Sequence, residues 1–253
     1  MKKIYFLLLF VSQVALSQSA EDLFKKANTQ YKDGLYKEAI DTYHQIKKLN
    51  LVSSEIYYNL GNCHYKLNEV APAIYNYEKA LLIDPLNEDA RNNLVFAKKL
   101  TIDNIKELPK SIFQKINESY VKKLSYDEWA VATIVFVFMG SSLFLLFYFS
   151  YTPSRKRLFF ITSVISFLLF IFSFIITIKE HSFNLSNIEA IIFVEETEVK
   201  NAPTLNSDDL FKLHEGTKVT VLDAVDSWKK IKIADGKIGW IQADQIKLLT
   251  ILK

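Results

Sequence analysis

Cysteine is nearly missing from this sequence. Cys63 is the only one in 253 residues, so no disulfide can close within the chain. Histidine is scarce as well: His44, His64, His181 and His214 show no metal-ligand spacing. Neighbouring Cys63 and His64 would point about 100° apart on a helix, which excludes a nucleophile–base pair between them. Only 6 glycines are present, and none builds a phosphate loop or a dinucleotide fingerprint. Charge of one sign is lacking too. With 31 basic and 28 acidic side chains the net charge is +3, too small to indicate nucleic acid as a partner. The chain is therefore expected to be no enzyme, with no catalytic residue, no cofactor and no metal.

Charge is missing altogether from residues 129–151 and 158–178, and each run is long enough to cross a bilayer as a helix. Without Asp, Glu, Lys, Arg or His, neither offers an ion relay, so both read as anchors. Gly140, Ser141, Ser142, Ser163 and Ser166 are small enough to let the two helices approach closely. Between the runs, Pro153 breaks the helix, and Arg155, Lys156 and Arg157 place residues 152–157 in the cytoplasm. Residues 1–17 read as a signal peptide, with Lys2 and Lys3, an apolar core, and a small-x-small site at Ala15-Leu16-Ser17. The two signals agree on a two-pass hairpin with an exported segment on either side. Neither segment, 20–128 or 179–253, reaches the roughly 150 residues of a large catalytic domain.

The first segment repeats itself. At a shift of 34 residues, Asn28, Tyr31 and Lys32 fall on Asn62, Tyr65 and Lys66, and Ala39, Ile40 and Tyr43 fall on Ala73, Ile74 and Tyr77. That period, with Tyr57, Leu60, Gly61, Ala73, Tyr77, Ala80 and Pro85 in order, resembles tetratricopeptide repeats. The resemblance implies an all-α solenoid over 20–100, made of 20–53, 54–87 and a partial copy at 88–100 that acts as a cap. It also implies a groove lined by the first helix of each pair. That face would carry Phe24, Asn28, Tyr31 and Lys32, then Tyr58, Asn62, Tyr65 and Lys66, then Asn92 and Phe96. Rings and surface amides suit an extended peptide. The bland alternative is that the tyrosines only pack. Cys63 reads as a small buried residue. Over 109–128, Ile112, Phe113, Ile116, Tyr120, Val121 and Leu124 form one apolar helix face, suited to the membrane surface or to the repeats.

The last segment alternates as strands do. Val219 and Val221 oppose Lys218 and Thr220, Ile231 and Ile233 oppose Lys230 and Lys232, and Asp235-Gly236 is a hairpin turn signal. Gly216-Thr217 and Gly239-Trp240-Ile241 resemble bacterial SH3 domains, which implies an all-β SH3-like barrel over 188–249. Trp228 and Trp240 are its candidate binding residues. The ring of Trp240 is expected to plug the barrel, and Trp228 is open between core and surface.

In its order of parts the whole chain resembles the BatE-type proteins of the Bacteroides aerotolerance operons. The resemblance implies a bacterial inner-membrane protein with both modules periplasmic. Its partners would be other Bat-type membrane proteins, among them those with von Willebrand A-type domains, or periplasmic peptides. The resulting expectation is a non-catalytic periplasmic scaffold within an aerotolerance or stress complex. The alternative is an anchor whose SH3 module grips peptidoglycan while the repeats recruit an enzyme.

Overall fold

The computed structural model describes residues 20–106, 108–109, 111–112, 115, 117–186 and 188–250. The signal peptide expected at 1–17 lies outside them, as do Phe113 and Ile116 of the helix expected over 109–128. The described residues fall into two compact units, one within Met1–Leu108 and Glu189–Lys253 and the other within Pro109–Ile188.

The first unit begins with helices α1 (residues 20–32), α2 (Tyr36–Lys48), α3 (Ser54–Lys66), α4 (Val70–Ile83) and α5 (Glu88–Lys98). Their ends follow local chemistry. Ser53 accepts from the Ile56 amide to cap α3, and Asn87 accepts from the Ala90 amide to cap α5. Gly34, at φ +78, makes the turn from α1 to α2. Small residues then let the helices close up. Ala27, Ala39, Ala71, Ala73, Ala80, Ala90 and Ala97 are fully buried around Tyr43, Leu60, Ile74 and Tyr77. A Cβ on Gly61 would lie 2.6 Å from the ring of Tyr77, so glycine here is what allows that ring to lie flat on α3.

The same unit ends in an all-β module of seven strands: β1 (Ile188–Ile192), β2 (Glu196–Lys200), β3 (Asp209–His214), β4 (Lys218–Val225), β5 (Trp228–Lys232), β6 (Ile238–Gln242) and β7 (Ile246–Leu248). Their order is β3-β2-β6-β5-β4-β1-β7, with β2 antiparallel to β3 and β6, β5 to β4 and β6, and β1 to β7. Asp235-Gly236 lies in the turn between β5 and β6, where Gly236 takes φ +93 and Asp235 Oδ1 accepts from the Lys237 amide. Alternate residues face the core, including Val219, Val221, Ile231, Ile233, Gly239 and Ile241.

The second unit holds two helices long and apolar enough to cross a membrane, α6 (Tyr126–Phe149) and α7 (Pro153–Ser186). A capping box opens α6: the Ser125 side chain receives the Glu128 amide, and Glu128 returns to the Ser125 amide at 2.7 Å. Before it, the described part of 109–128 includes a π-helical turn at Asn117–Val121. Pro153 does more than end the preceding helix. It is the first residue of α7, where its missing N–H costs nothing, so Arg155, Lys156 and Arg157 ride on helix rather than loop.

The hairpin is sewn together by small polar residues. Ser163 donates to the Gly140 carbonyl at 3.0 Å, Ser166 to the Phe136 carbonyl at 2.9 Å, and Thr133 to Ser173 at 3.0 Å. Gly140 receives the ring of Phe167. Ser141 and Ser142, by contrast, are exposed and take no part in the seam.

Candidate functional site

The expected groove face is built on α1, α3 and α5. Phe24, Tyr31, Tyr58 and Tyr65 are half-buried against the repeat core, and Lys32, Lys66, Asn92 and Phe96 are exposed. Rings on α2 brace its aromatic residues from the rear. Phe24 meets Tyr43 edge-on at 6.0 Å, and Tyr31 meets Tyr36 at 5.3 Å.

Asn28 and Asn62 are not the free surface amides that the sequence pattern suggests. Asn28 Oδ1 accepts from the Tyr43 hydroxyl at 2.5 Å and from Asn59 Nδ2 at 3.2 Å. One repeat later, Asn62 Oδ1 accepts from the Tyr77 hydroxyl at 2.7 Å and from Asn93 Nδ2 at 2.8 Å. The two triads are the same arrangement displaced by one repeat. They tie α1 to α3 and α3 to α5, and they satisfy tyrosine hydroxyls that would otherwise be buried unpaired. The physical reason is depth: both amides are only half-exposed, within reach of the helix behind. Asn59 and Asn93, missed in the groove reading, carry the same signal, since they too are 34 residues apart. Asn92, the residue chosen there, is exposed.

The opposite side of the array is occupied. The β-module lies against α4, the second helix of its repeat. Gly216 sits among Val70, Ile74 and Thr101, and a Cβ there would come within 2.9 Å of two of them. Tyr75 packs edge-on to Phe193 at 5.6 Å and donates to the Leu248 carbonyl at 3.3 Å. Lys79, 3% exposed, donates to the Thr250 carbonyl. Ile191 and Leu249 belong to the same apolar core as the repeats.

Two charged clusters fix this contact. Glu78 is paired to Lys98 and to Lys218, each at 2.9 Å, and Lys218 also reaches Glu189 at 2.7 Å. Burial alone would push the Glu78 carboxyl up, but the two ammoniums outweigh it and hold it below the usual carboxylate range. Further on, Asp103 receives the His214 amide at 2.7 Å, the Thr217 hydroxyl at 2.6 Å and the His214 ring at 2.7 Å. Those three donors overcome its own desolvation and depress it, while the carboxylate raises the His214 pKa.

The expected plug role of Trp240 is corrected, and the open question at Trp228 falls to the core. Trp228 is the buried one, at 8% exposure, and Trp240 is half-exposed. Strand parity explains it. On β6 the inward positions are Gly239 and Ile241, and a Cβ on Gly239 would meet Val199 at 2.4 Å, so β2 fills the space a ring would need. Trp240 faces outward, with Lys230 over its ring at 5.8 Å, and Lys237 stands over nearby Phe211 at 5.8 Å. Cys63 is fully buried, and burial pushes its thiol up to about 12.

Known families match both modules. A tetratricopeptide-repeat model covers residues 54–87, and a bacterial SH3 domain model covers residues 195–247. Over 85 residues the chain is 35% identical to sperm-associated antigen 1 of Mus musculus, and equally to that of Rattus norvegicus. That stretch is 34% of this chain but only 9% of the length of those two proteins. The chain thus matches a tetratricopeptide repeat and a bacterial SH3 domain over those stretches, two kinds of module that suggest contact with proteins or the cell wall.

Proposed function

We propose that this protein is a non-catalytic membrane scaffold that gathers partner proteins on the outer face of a bacterial inner membrane. One observation carries the reading: the SH3 module packs on α4 and so takes the rear of the repeat array, while on the face of α1, α3 and α5 Lys32, Lys66, Asn92 and Phe96 are exposed among the described residues. A two-module body of this kind offers a preformed surface on a membrane anchor. The resemblance to BatE-type proteins supports other Bat-type membrane proteins, including von Willebrand A-type ones, as its partners in an aerotolerance or stress complex. Both modules would be periplasmic and residues 152–157 cytoplasmic. Alkaline phosphatase fused after Leu100 or Lys253 should then be active, and fused after Arg157 silent. Activity at the Arg157 fusion alone would overturn the arrangement.

The outward ring of Trp240 favours a second reading, in which the SH3 module grips peptidoglycan. Co-sedimentation of the detergent-solubilised protein with purified peptidoglycan, abolished by Trp240→Ala, would establish it. No co-sedimentation leaves the scaffold reading standing alone.

A further inference from the structure

We infer that the turn between α6 and α7 holds an anionic phospholipid, with the phosphate on Lys156 and Arg157 and an acyl chain over Phe147 and Phe160. This rests on the reading that α6 and α7 cross a bilayer. A cleft of about 430 Å³ opens there, lined by Phe147, Pro153, Lys156, Arg157 and Phe160. Its floor is aromatic: the rings of Phe147 and Phe160 lie 5.4 Å apart, and Phe160 is 48% exposed. Its rim is cationic, with Lys156 Nζ 5.6 Å from the centre of the Phe147 ring.

Among the described residues nothing neutralises that rim. No acidic residue occurs between Glu128 and Glu180, and among the described residues Arg155, Lys156 and Arg157 form no ion pair. The start of α7 adds the positive end of a 34-residue helix, with Pro153 at its first position. Three cations that only set topology would be served as well by a flexible loop reaching into water. Here they are held on a helical turn beside exposed rings, a pairing that matches a headgroup phosphate joined to acyl chains. The apolar half of the cleft favours a phospholipid over a free phosphate ion, and the cationic half favours an anionic headgroup over a zwitterionic one.

The test uses the full chain in phosphatidylcholine vesicles containing a minor share of phosphatidylglycerol. After extraction in mild detergent, retained lipid is identified by native mass spectrometry. Wild type should retain phosphatidylglycerol at about tenfold over its share, and Lys156→Gln with Arg157→Gln should abolish the enrichment. Phe160→Ala, which keeps every cation, should also lower it, and Lys123→Gln, far along the sequence from this turn, should not. Equal enrichment in all variants, or none in wild type, overturns the site. So does full retention by Phe160→Ala, which would mean generic surface charge, or release by excess inorganic phosphate, which would mean a free-anion site. Flotation with pure phosphatidylcholine vesicles separates the two levels. A protein that does not float overturns the spanning reading and the lipid site together, and one that floats without anionic preference overturns the lipid site alone.

Discussion

Glu78 of the repeats and Lys218 of the SH3 module lie 2.9 Å apart, and the glutamate side chain is 9% exposed. They are 140 residues apart in sequence, with both apolar helices between them. Pairing at that separation makes the two modules one body, because breaking it strands a charge in a dry contact. Lys218→Ala should cost about 2–3 kcal/mol, leaving Glu78 with Lys98 alone. The loss should appear as faster amide exchange in α4 and β4 of the full-length protein. Unchanged exchange would show that the contact is held by its apolar part.

Asn62→Ala should destabilise the repeats by about 2 kcal/mol, since it leaves the Tyr77 hydroxyl and the Asn93 amide without their shared acceptor. Asn28→Ala should do the same one repeat earlier, and exposed Asn92→Ala should stay within about 0.5 kcal/mol of wild type. Chemical denaturation of the three variants checks the order. Equal effects at Asn62 and Asn92 would contradict the triads.

The contact should depend on pH with a definite sign. The pKa of His214 is raised in the folded protein, first by its hydrogen bond to Asp103 and further by Glu196. Its contribution is therefore complete below its ordinary value of about 6.5 and is lost as pH climbs through the raised value. Asp103 is depressed, so its contribution is present above about 3.8 and is lost as pH falls through the depressed value. The contact should be firmest between about pH 4 and pH 6.5 and weaken on the alkaline side. The melting temperature followed across that range should fall above it in wild type, and His214→Gln should flatten that limb.

Cys63 should resist alkylation in the native protein at neutral pH, because burial both blocks access and holds the thiol protonated. Labelling should become complete in denaturant. Rapid native labelling would mean that α3 opens far more readily than its packing implies.

Much of this architecture was legible in the residues themselves. The 34-residue shift located the helices because packing positions must recur when identical units stack, strand alternation located β4 and β5, and the Asp235-Gly236 turn signal implied β6 after them. Assignments that depend on depth were not legible. Period alone placed Asn28 and Asn62 on a groove face, but only the distance to Tyr43 and Tyr77 makes them internal acceptors. Trp240 was misread as a plug because the crowding of Gly239 by Val199 comes from a strand some forty residues earlier. Nor could any local pattern reveal the contact of Asp103 with Thr217, since solvated charges and interface charges look alike in sequence.

In the proposed scaffold the rear of the repeats is taken by the SH3 module and the aromatic face receives partners. A photo-crosslinking phenylalanine analogue placed in cells at Phe96, or in a second strain at Tyr75, tests it most directly. From Tyr75 the crosslink should be intramolecular and map near Phe193, and from Phe96 it should join another protein. Partner capture from Tyr75, with none from Phe96, would contradict the account.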